Sequence, residues 1–356
     1  MVTAFELNPV QLACPFAVPS NPWPVAVVGA GNITRIAHLP AYRDHGIPVA
    51  AIHDPSAAAM SAAAELAPDA VRVTPYEAIL GNPAIRIVDI TTHTAIRPDL
   101  IRQALNAGKH VFSQKPFAES MQTARELVAL ADELGVRLGV NQNGRHAPAF
   151  FAASELIRAG AIGEVTAISH TFEKPAWWQP GSVFDRMDHC GIFDYAIHWI
   201  DISRVWFGGE TPVEIRARDY RTPDQPIDSH TPWGFWIELV FKGGRVSLIR
   251  GVGAAHAEHE GHPFQIYGTT GMIRGSELDH AWVELVTNGT VTPVPIEGKW
   301  FSDAFAGSMG VFMQAVMNDI EPTNSGRDNL GTLAATLAAV ESADANGQAV
   351  VLSRLE

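Results

Sequence analysis

Val25-Ala-Val-Val-Gly-Ala-Gly-Asn-Ile-Thr34 is the stretch whose reading decides the fold. Four apolar residues, small or β-branched, run straight into a glycine turn. Such a run suits a strand buried on both faces of a parallel sheet. Gly29 can take backbone angles that a side chain forbids, and Gly31 lets a pyrophosphate approach the backbone. Ile33 onward reads as a helix. Its first free N–H groups, around Asn32 and Ile33, and its positive dipole end would face that phosphate. Thr34 stands where a third glycine is usual, which implies a slightly wider helix–strand fit or a hydroxyl that bonds locally. A second apolar run, Val49-Ala-Ala-Ile52, ends in His53 and Asp54. Asp54 lies about 20 residues past the motif, where a carboxylate grips a ribose 2′-OH and repels a 2′-phosphate. NAD is therefore favoured over NADP. The competing reading is a glycine turn in some other α/β protein, with Asp54 capping the next helix.

Working outward, strand and helix alternate as far as Asn141. The helix from Ile33 is expected to bend or end near Pro40. Ser56 to Leu66 reads as a helix with Ser56 as N-cap. Strands follow at 71–73, 85–90, 110–113 and 136–140, with helices at 98–107 and 121–134 between them. This predicts a doubly wound parallel sheet, with ligands at the carboxyl ends of its strands. Those ends carry Gly29 and Gly31, Asp54, Thr91, Thr92 and His93, Gln114 and Lys115, and Asn141.

After Asn141 the rhythm changes. Helices are expected at 148–159 and 191–207, then strands near 212–219, 233–241, 244–251, 263–268, 271–275 and 281–286. Lys242-Gly-Gly-Arg245 and Gly268-Thr-Thr-Gly271 read as hairpin turns. A run of strands without helices between them predicts an α+β domain with a large, open, mostly antiparallel sheet. Helices near 302–318 and 328–345 close the chain. The expected division is an irregular arm at 1–22, a dinucleotide-binding domain at 23–141 and a second domain at 142–356.

The bulk composition narrows the partners. The chain has 356 residues, 47% hydrophobic and 18% charged, and a net charge of −13. It is a globular sequence, and its charge makes nucleic acid and anionic membranes poor partners. Cys14 and Cys190 cannot build a disulfide framework or a metal cluster. The proline-rich start lacks the pattern of a signal peptide, and no apolar run has spanning length. A cytoplasmic setting is the expectation.

Two groups of residues carry chemistry. Lys115 follows a strand and precedes Pro116, which fixes the turn. A lysine there can hydrogen-bond a substrate hydroxyl and stabilise an alkoxide; otherwise it is a surface lysine at a strand end. Asp194 and His198, four apart on one helix, form a candidate acid–base unit; otherwise they are a core histidine and a surface acid. Trp177 and Trp178 either stack on a sugar ring or bury a loop. His256-Ala-Glu-His-Glu-Gly-His262 reads as a polar strand end or loop in preference to a metal site, so no metal is expected.

Val28-Gly-Ala-Gly-Asn-Ile33 with His38-Leu-Pro40, Ala107-Gly-Lys-His-Val111 leading into Gln114-Lys-Pro116, Arg145, Gly160-Ala-Ile-Gly163, Asp194 with His198, Tyr267-Gly268 and Ala345-Asn-Gly347 occur in one order. In these motifs the chain resembles the glucose–fructose oxidoreductase, inositol dehydrogenase and rhizopine-catabolism (Gfo/Idh/MocA) family along nearly its whole length. The resemblance implies Lys115 as the catalytic lysine, His198 as the group that exchanges the hydroxyl proton and Asp194 as the residue that positions substrate and histidine. It also implies Arg145 near the substrate. The expected activity is NAD(P)-dependent hydride transfer from a secondary hydroxyl of a sugar, polyol or related pyranoside. The alternative is a glycosidase or aldose–aldose oxidoreductase that retains NAD(P) and oxidises its substrate transiently. A non-catalytic NAD sensor ranks last, because the Lys–Asp–His set is complete. The family also implies a homodimer or homotetramer formed through the second sheet. Three departures are visible: Gln114 for a usual glutamate, Ala196 for a glycine, and Thr92-His93 for proline and asparagine.

Overall fold

The computed structural model describes residues 18–173, 180–253 and 261–352. Among these, the helices in chain order are α1 (Leu39–Asp44), α2 (Ala57–Ala64), α3 (Glu77–Leu80), α4 (Arg97–Asn106) and α5 (Met121–Glu133). They continue with α6 (Pro148–Arg158), α7 (Ile197–Trp206), α8 (Phe305–Met317) and α9 (Gly326–Asp344). The chain forms two compact units. Of the described residues, the first takes 18–146 together with Lys299–Leu330, and the second takes Ala147–Gly298 and the chain from Gly331 onward. A single break after residue 141, as expected from sequence, leaves 299–330 with the second half; in the structure that segment packs in the first unit.

The first unit holds a parallel sheet of β1 (Val25–Val28), β2 (Val49–His53), β3 (Val71–Arg72), β4 (Ile87–Ile90), β5 (His110–Ser113) and β6 (Leu138–Val140). Their order is β3-β2-β1-β4-β5-β6, with every neighbouring pair parallel. All four residues of β1 are buried, as a strand covered on both faces requires. The helix after the glycine turn does not end at Pro40. A π-turn over Thr34–His38, in which the Leu39 N–H donates to the Thr34 carbonyl, feeds α1, and this widened turn comes directly before Pro40, where the sequence allowed a bend. Ser56 and Ser120 cap α2 and α5, their hydroxyls accepting the Ala59 and Thr123 N–H groups, each at 3.2 Å.

The late segment joins this unit through side-chain packing. Phe312 on α8 lies against Phe112 of β5, ring centroids 5.3 Å apart. It also fills the space beside Gly139, where a Cβ would come within 2.3 Å of the Phe312 ring. The Val140 N–H donates to the Asn324 carbonyl at 2.8 Å, so the segment also bonds the last strand of the sheet.

The second unit holds a sheet of β7 (Val165–Glu173), β8 (Glu214–Tyr220), β9 (Gly234–Val240), β10 (Val246–Val252), β11 (His262–Gly268), β12 (Gly271–Glu277), β13 (Trp282–Thr287), β14 (Thr290–Val294) and β15 (Val350–Val351). The order is β14-β13-β12-β11-β7-β10-β9-β8-β15, antiparallel except for the β7–β10 pair. Both expected hairpin turns are present, joining β9 to β10 and β11 to β12. One strand escaped the sequence reading: β14 pairs with β13 across Asn288-Gly289, whose φ values of 51° and 77° are those of a type I′ turn. Helices α6 and α7 bury one sheet face, where Phe150 meets Trp206 and Phe264 edge-on at 5.4 and 5.3 Å. Trp236, Leu248, Tyr267 and Trp282 in the same sheet stay partly exposed. No helix among the described residues is long and apolar enough to cross a membrane.

Candidate active site

The glycine turn is shaped by its neighbours. Gly29 has a φ of 103°, and a Cβ on it would lie 2.9 Å from the Thr91 hydroxyl. The Thr34 hydroxyl donates to the Gly29 carbonyl at 2.8 Å and pairs with the Thr91 hydroxyl at 2.8 Å. Of the two sequence readings of Thr34, the locally bonded hydroxyl is therefore the one observed. Thr91 itself lies 2.7 Å from the same carbonyl, so its side chain serves the turn. Asp54 accepts the Ala30 N–H at 2.8 Å through one oxygen and the Ser56 N–H at 2.8 Å through the other. It thus does two things: it ties β2 to the glycine turn, and it shapes the entry to α2.

These residues fit a dinucleotide. Nothing stands within 4 Å of where a Gly31 Cβ would be, so the backbone is open to a phosphate on that side. Gly31, Asn32 and His93 are exposed, and Ile33 is partly so. Next along the strand ends, the Thr92 hydroxyl and both amide atoms of the fully buried Asn141 have no hydrogen-bond partner among the described residues. Buried polar atoms without partners are costly, and ligand groups that supply the missing bonds offset that cost.

Lys115 leaves a turn held on two sides. The Gln114 carbonyl Oε1 accepts the Lys115 N–H at 2.8 Å, and the Gln114 Nε2 lies 3.2 Å from Nε2 of His38. His38 Nδ1 lies 2.8 Å from Asp89 Oδ2, to which the Tyr42 hydroxyl also donates at 2.6 Å. Tyr42, His38, Asp89 and Gln114 are all buried. Burial and the Asp89 charge hold the Tyr42 phenol well above its ordinary pKa. On the other side, the buried Arg97 guanidinium donates to the carbonyls of Pro116 and Thr92 and to the Thr94 hydroxyl at 3.4 Å. His38, Asp89, Tyr42 and Arg97 were not among the sequence-derived site residues. Asp89 carried a readable signal, an acid inside the apolar strand Ile87–Ile90.

Arg145 bonds its own unit: it donates to the Thr323 carbonyl at 2.8 Å and to Asp328 at 2.5 Å. This anchors the chain after β6 to the late segment.

Asp194 and His198 lie in the second unit, both partly buried. They do not share a regular helix. Asp194 falls in a π-turn, Gly191–Tyr195, whose Ala196 N–H donates to the Gly191 carbonyl, and His198 is in the first turn of α7. Wide turns of this kind recur at functional sites. The turn begins at His189, whose carbonyl accepts the N–H groups of Ile192 and Phe193 at 2.9 and 2.8 Å. The His189 ring is held between Asp219, at 2.7 Å from Nδ1, and Asp344, at 2.9 Å from Nε2. The bond to Asp219, reinforced by Asp344 and opposed by burial, raises its pKa to about 9. Elsewhere in this unit, buried Glu277 accepts the Ala149 N–H at 2.7 Å, at the start of α6, and burial pushes its acid up to about 7. Trp177, Trp178 and the stretch from His256 to Glu260 lie outside the described residues. Among the described residues no group of three or more histidine, cysteine or acidic side chains is arranged to hold a metal ion.

Comparison with known proteins agrees with this architecture. The family model described as "Oxidoreductase family, NAD-binding Rossmann fold" matches residues 24–142, and "GFO/IDH/MocA C-terminal domain" matches residues 150–274. The chain is 28% identical to 1,5-anhydro-D-fructose reductase of Ensifer adhaerens, over 92% of this chain and 98% of that one. It is 27% identical to inositol 2-dehydrogenase of Rhizobium meliloti, over 89% and 95% of the two chains. An oxidoreductase from Agrobacterium radiobacter, solved with NAD+, L-tartaric acid and magnesium, superposes with a TM-score of 0.83 at 23% identity, covering 94% of this chain and 100% of that one. From the glycine turn of the first unit to the sheet of the second, the chain belongs to the Gfo/Idh/MocA family of oxidoreductases, with an NAD-binding Rossmann fold.

Proposed function

We propose that this protein is an NAD-dependent dehydrogenase acting on a secondary hydroxyl of a sugar, polyol or related pyranoside. The observation that carries the reading is the row at the carboxyl ends of the parallel strands, where the open Gly31 backbone, Asp54, unpartnered Asn141 and the braced Lys115 follow one another. The nicotinamide, when bound, supplies the hydride acceptor or donor. Gly31, Asn32 and Ile33 present backbone to the pyrophosphate. Asp54 accepts a ribose 2′-OH and repels a 2′-phosphate, which supports NAD over NADP. Thr92, His93, Gln114 and Asn141 line the path of the nicotinamide half, with Thr91 acting through the glycine turn. The Lys115 ammonium polarises the carbinol oxygen and stabilises alkoxide character on it. His198 takes or returns the hydroxyl proton, and Asp194 orients substrate and histidine. Arg145 acts by holding the chain that follows Asn141. The partly exposed Trp236, Leu248, Tyr267 and Trp282 support self-association through the second sheet, as a homodimer or homotetramer. The two cysteines support a reducing, cytoplasmic setting.

The test is reduced-nicotinamide absorbance with added NAD across polyols, free sugars and glycosides, beside Lys115→Ala and His198→Ala. Signal well beyond one equivalent per enzyme, lost in both variants, supports the reading. No signal with any of them, but NAD released on denaturation, overturns it in favour of a retained cofactor and transient oxidation.

A further inference from the structure

The chain Tyr42–Asp89–His38–Gln114 ends on the backbone of Lys115, and its hydrogen-bond directions are determined. A backbone N–H only donates, so the Gln114 atom 2.8 Å from the Lys115 nitrogen is the carbonyl oxygen. The Gln114 atom 3.2 Å from His38 Nε2 is then the NH2 group, which also only donates. His38 Nε2 must therefore be bare. The ring proton sits on Nδ1 and is donated to Asp89 Oδ2, 2.8 Å away, which accepts the Tyr42 hydroxyl as well. Another side of the His38 ring meets Phe305 edge-on, with centroids 5.0 Å apart.

We propose that Gln114 is a positioning residue for Lys115: its amide locks His38 in the neutral, Nδ1-protonated form and pins the backbone from which the lysine side chain leaves. This deepens the reading of Lys115 given above and rests on it for the chemistry. The proton positions stand apart from that reading. A glutamate at 114 has no NH2 to offer. His38 would then have to donate from Nε2 as well as Nδ1, and would become an imidazolium between two carboxylates.

The experiment is 15N spectroscopy of the histidine-labelled full chain, with His38 assigned by His38→Gln. The expected wild-type spectrum has one protonated nitrogen, Nδ1, and one bare nitrogen, Nε2. In Gln114→Glu both nitrogens carry protons and the bare-nitrogen signal is lost. The lysine arm uses 13C-dimethylated lysines, with the signal assigned by Lys115→Arg. Gln114→Met removes both amide bonds, and the expected result is a shifted, sharper Lys115 signal with those of Lys109 and Lys242 unmoved. An Nε2-protonated His38 in the wild type, a His38 spectrum unchanged by Gln114→Glu, or a Lys115 signal unchanged by Gln114→Met overturns the proposal. None of these readouts needs turnover. Failure of the dehydrogenase reading would show separately, as no nicotinamide reduction while these spectra hold.

Discussion

Lys115 leaves a turn whose supporting side chains bond one another out of reach of water. Asp194 leaves a turn that starts at a histidine held between two carboxylates, one of them, Asp344, exposed. The first mount is a hydrogen-bond network with no exposed member; the second is an ionic clamp. A buried hydrogen-bond network is costly to break. A half-exposed ionic clamp is cheaper to break, and it lasts only while its histidine is protonated.

Four expected outcomes test that contrast. The largest is for Asp89→Ala, which takes the shared acceptor from the Tyr42 hydroxyl and from His38 Nδ1 and leaves them only each other, 3.3 Å apart, inside the first unit. At ~1–3 kcal/mol for each buried donor that loses its acceptor, denaturant unfolding should show a loss of about 2–5 kcal/mol. Next, Lys115→Ala should lower kcat with the best polyol or sugar by ~10²–10³-fold, the scale of losing one donor to a developing oxyanion, while the melting temperature barely moves.

The third, like the fourth, is read against pH. Glu277 has a folded pKa of about 7, above its ordinary 4.5. Its contribution to stability is therefore complete below about pH 4.5 and lost as pH rises past about 7. Melting curves of Glu277→Gln should lack that decline, with a gap approaching ~3 kcal/mol above pH 7. A decline that persists in the variant would place its origin elsewhere. The smallest effect is for His189→Gln. His189 has a folded pKa of about 9 against an ordinary 6.5, so its clamp is fully present below about pH 6.5 and fades as pH rises through 9. Solvent at Asp344 limits the loss to about 1–2 kcal/mol at pH 6.5. The variant and the wild type should converge in melting temperature by about pH 10. A difference that stays constant with pH would make the clamp a matter of packing.

Much of the first unit was legible because its signals are local. An apolar run into Gly29, an acid after the second strand, serine caps and strand–helix alternation each depend on a few adjacent residues. The hairpins at Lys242–Arg245 and Gly268–Gly271 were legible for the same reason, and Asn288-Gly289 should have marked β14 as plainly. What stayed hidden depends on distant residues. Nothing near His38 announces that Asp89 and Gln114 will meet its ring. The π-turns at Thr34–His38 and Gly191–Tyr195 leave no mark in the spacing of apolar residues, so Asp194 and His198 read as one regular helical face. Gln114 illustrates the limit well: it reads as one amide at a strand end, and no neighbouring residue announces the His38 ring and the Lys115 N–H that its side chain meets.

The contact of Phe312 with Gly139 has a consequence for assembly and for grafting. The edge of the parallel sheet is finished by residues that follow nearly the whole of the second sheet in the chain. During synthesis the nucleotide half therefore waits for its last helix, and its long-range contacts favour slow closure. Anyone transplanting that half into another protein must carry two pieces, the stretch through His146 and the stretch from Lys299 to Leu330. A graft of the first piece alone should leave the groove over Gly139 bare and the sheet prone to aggregation.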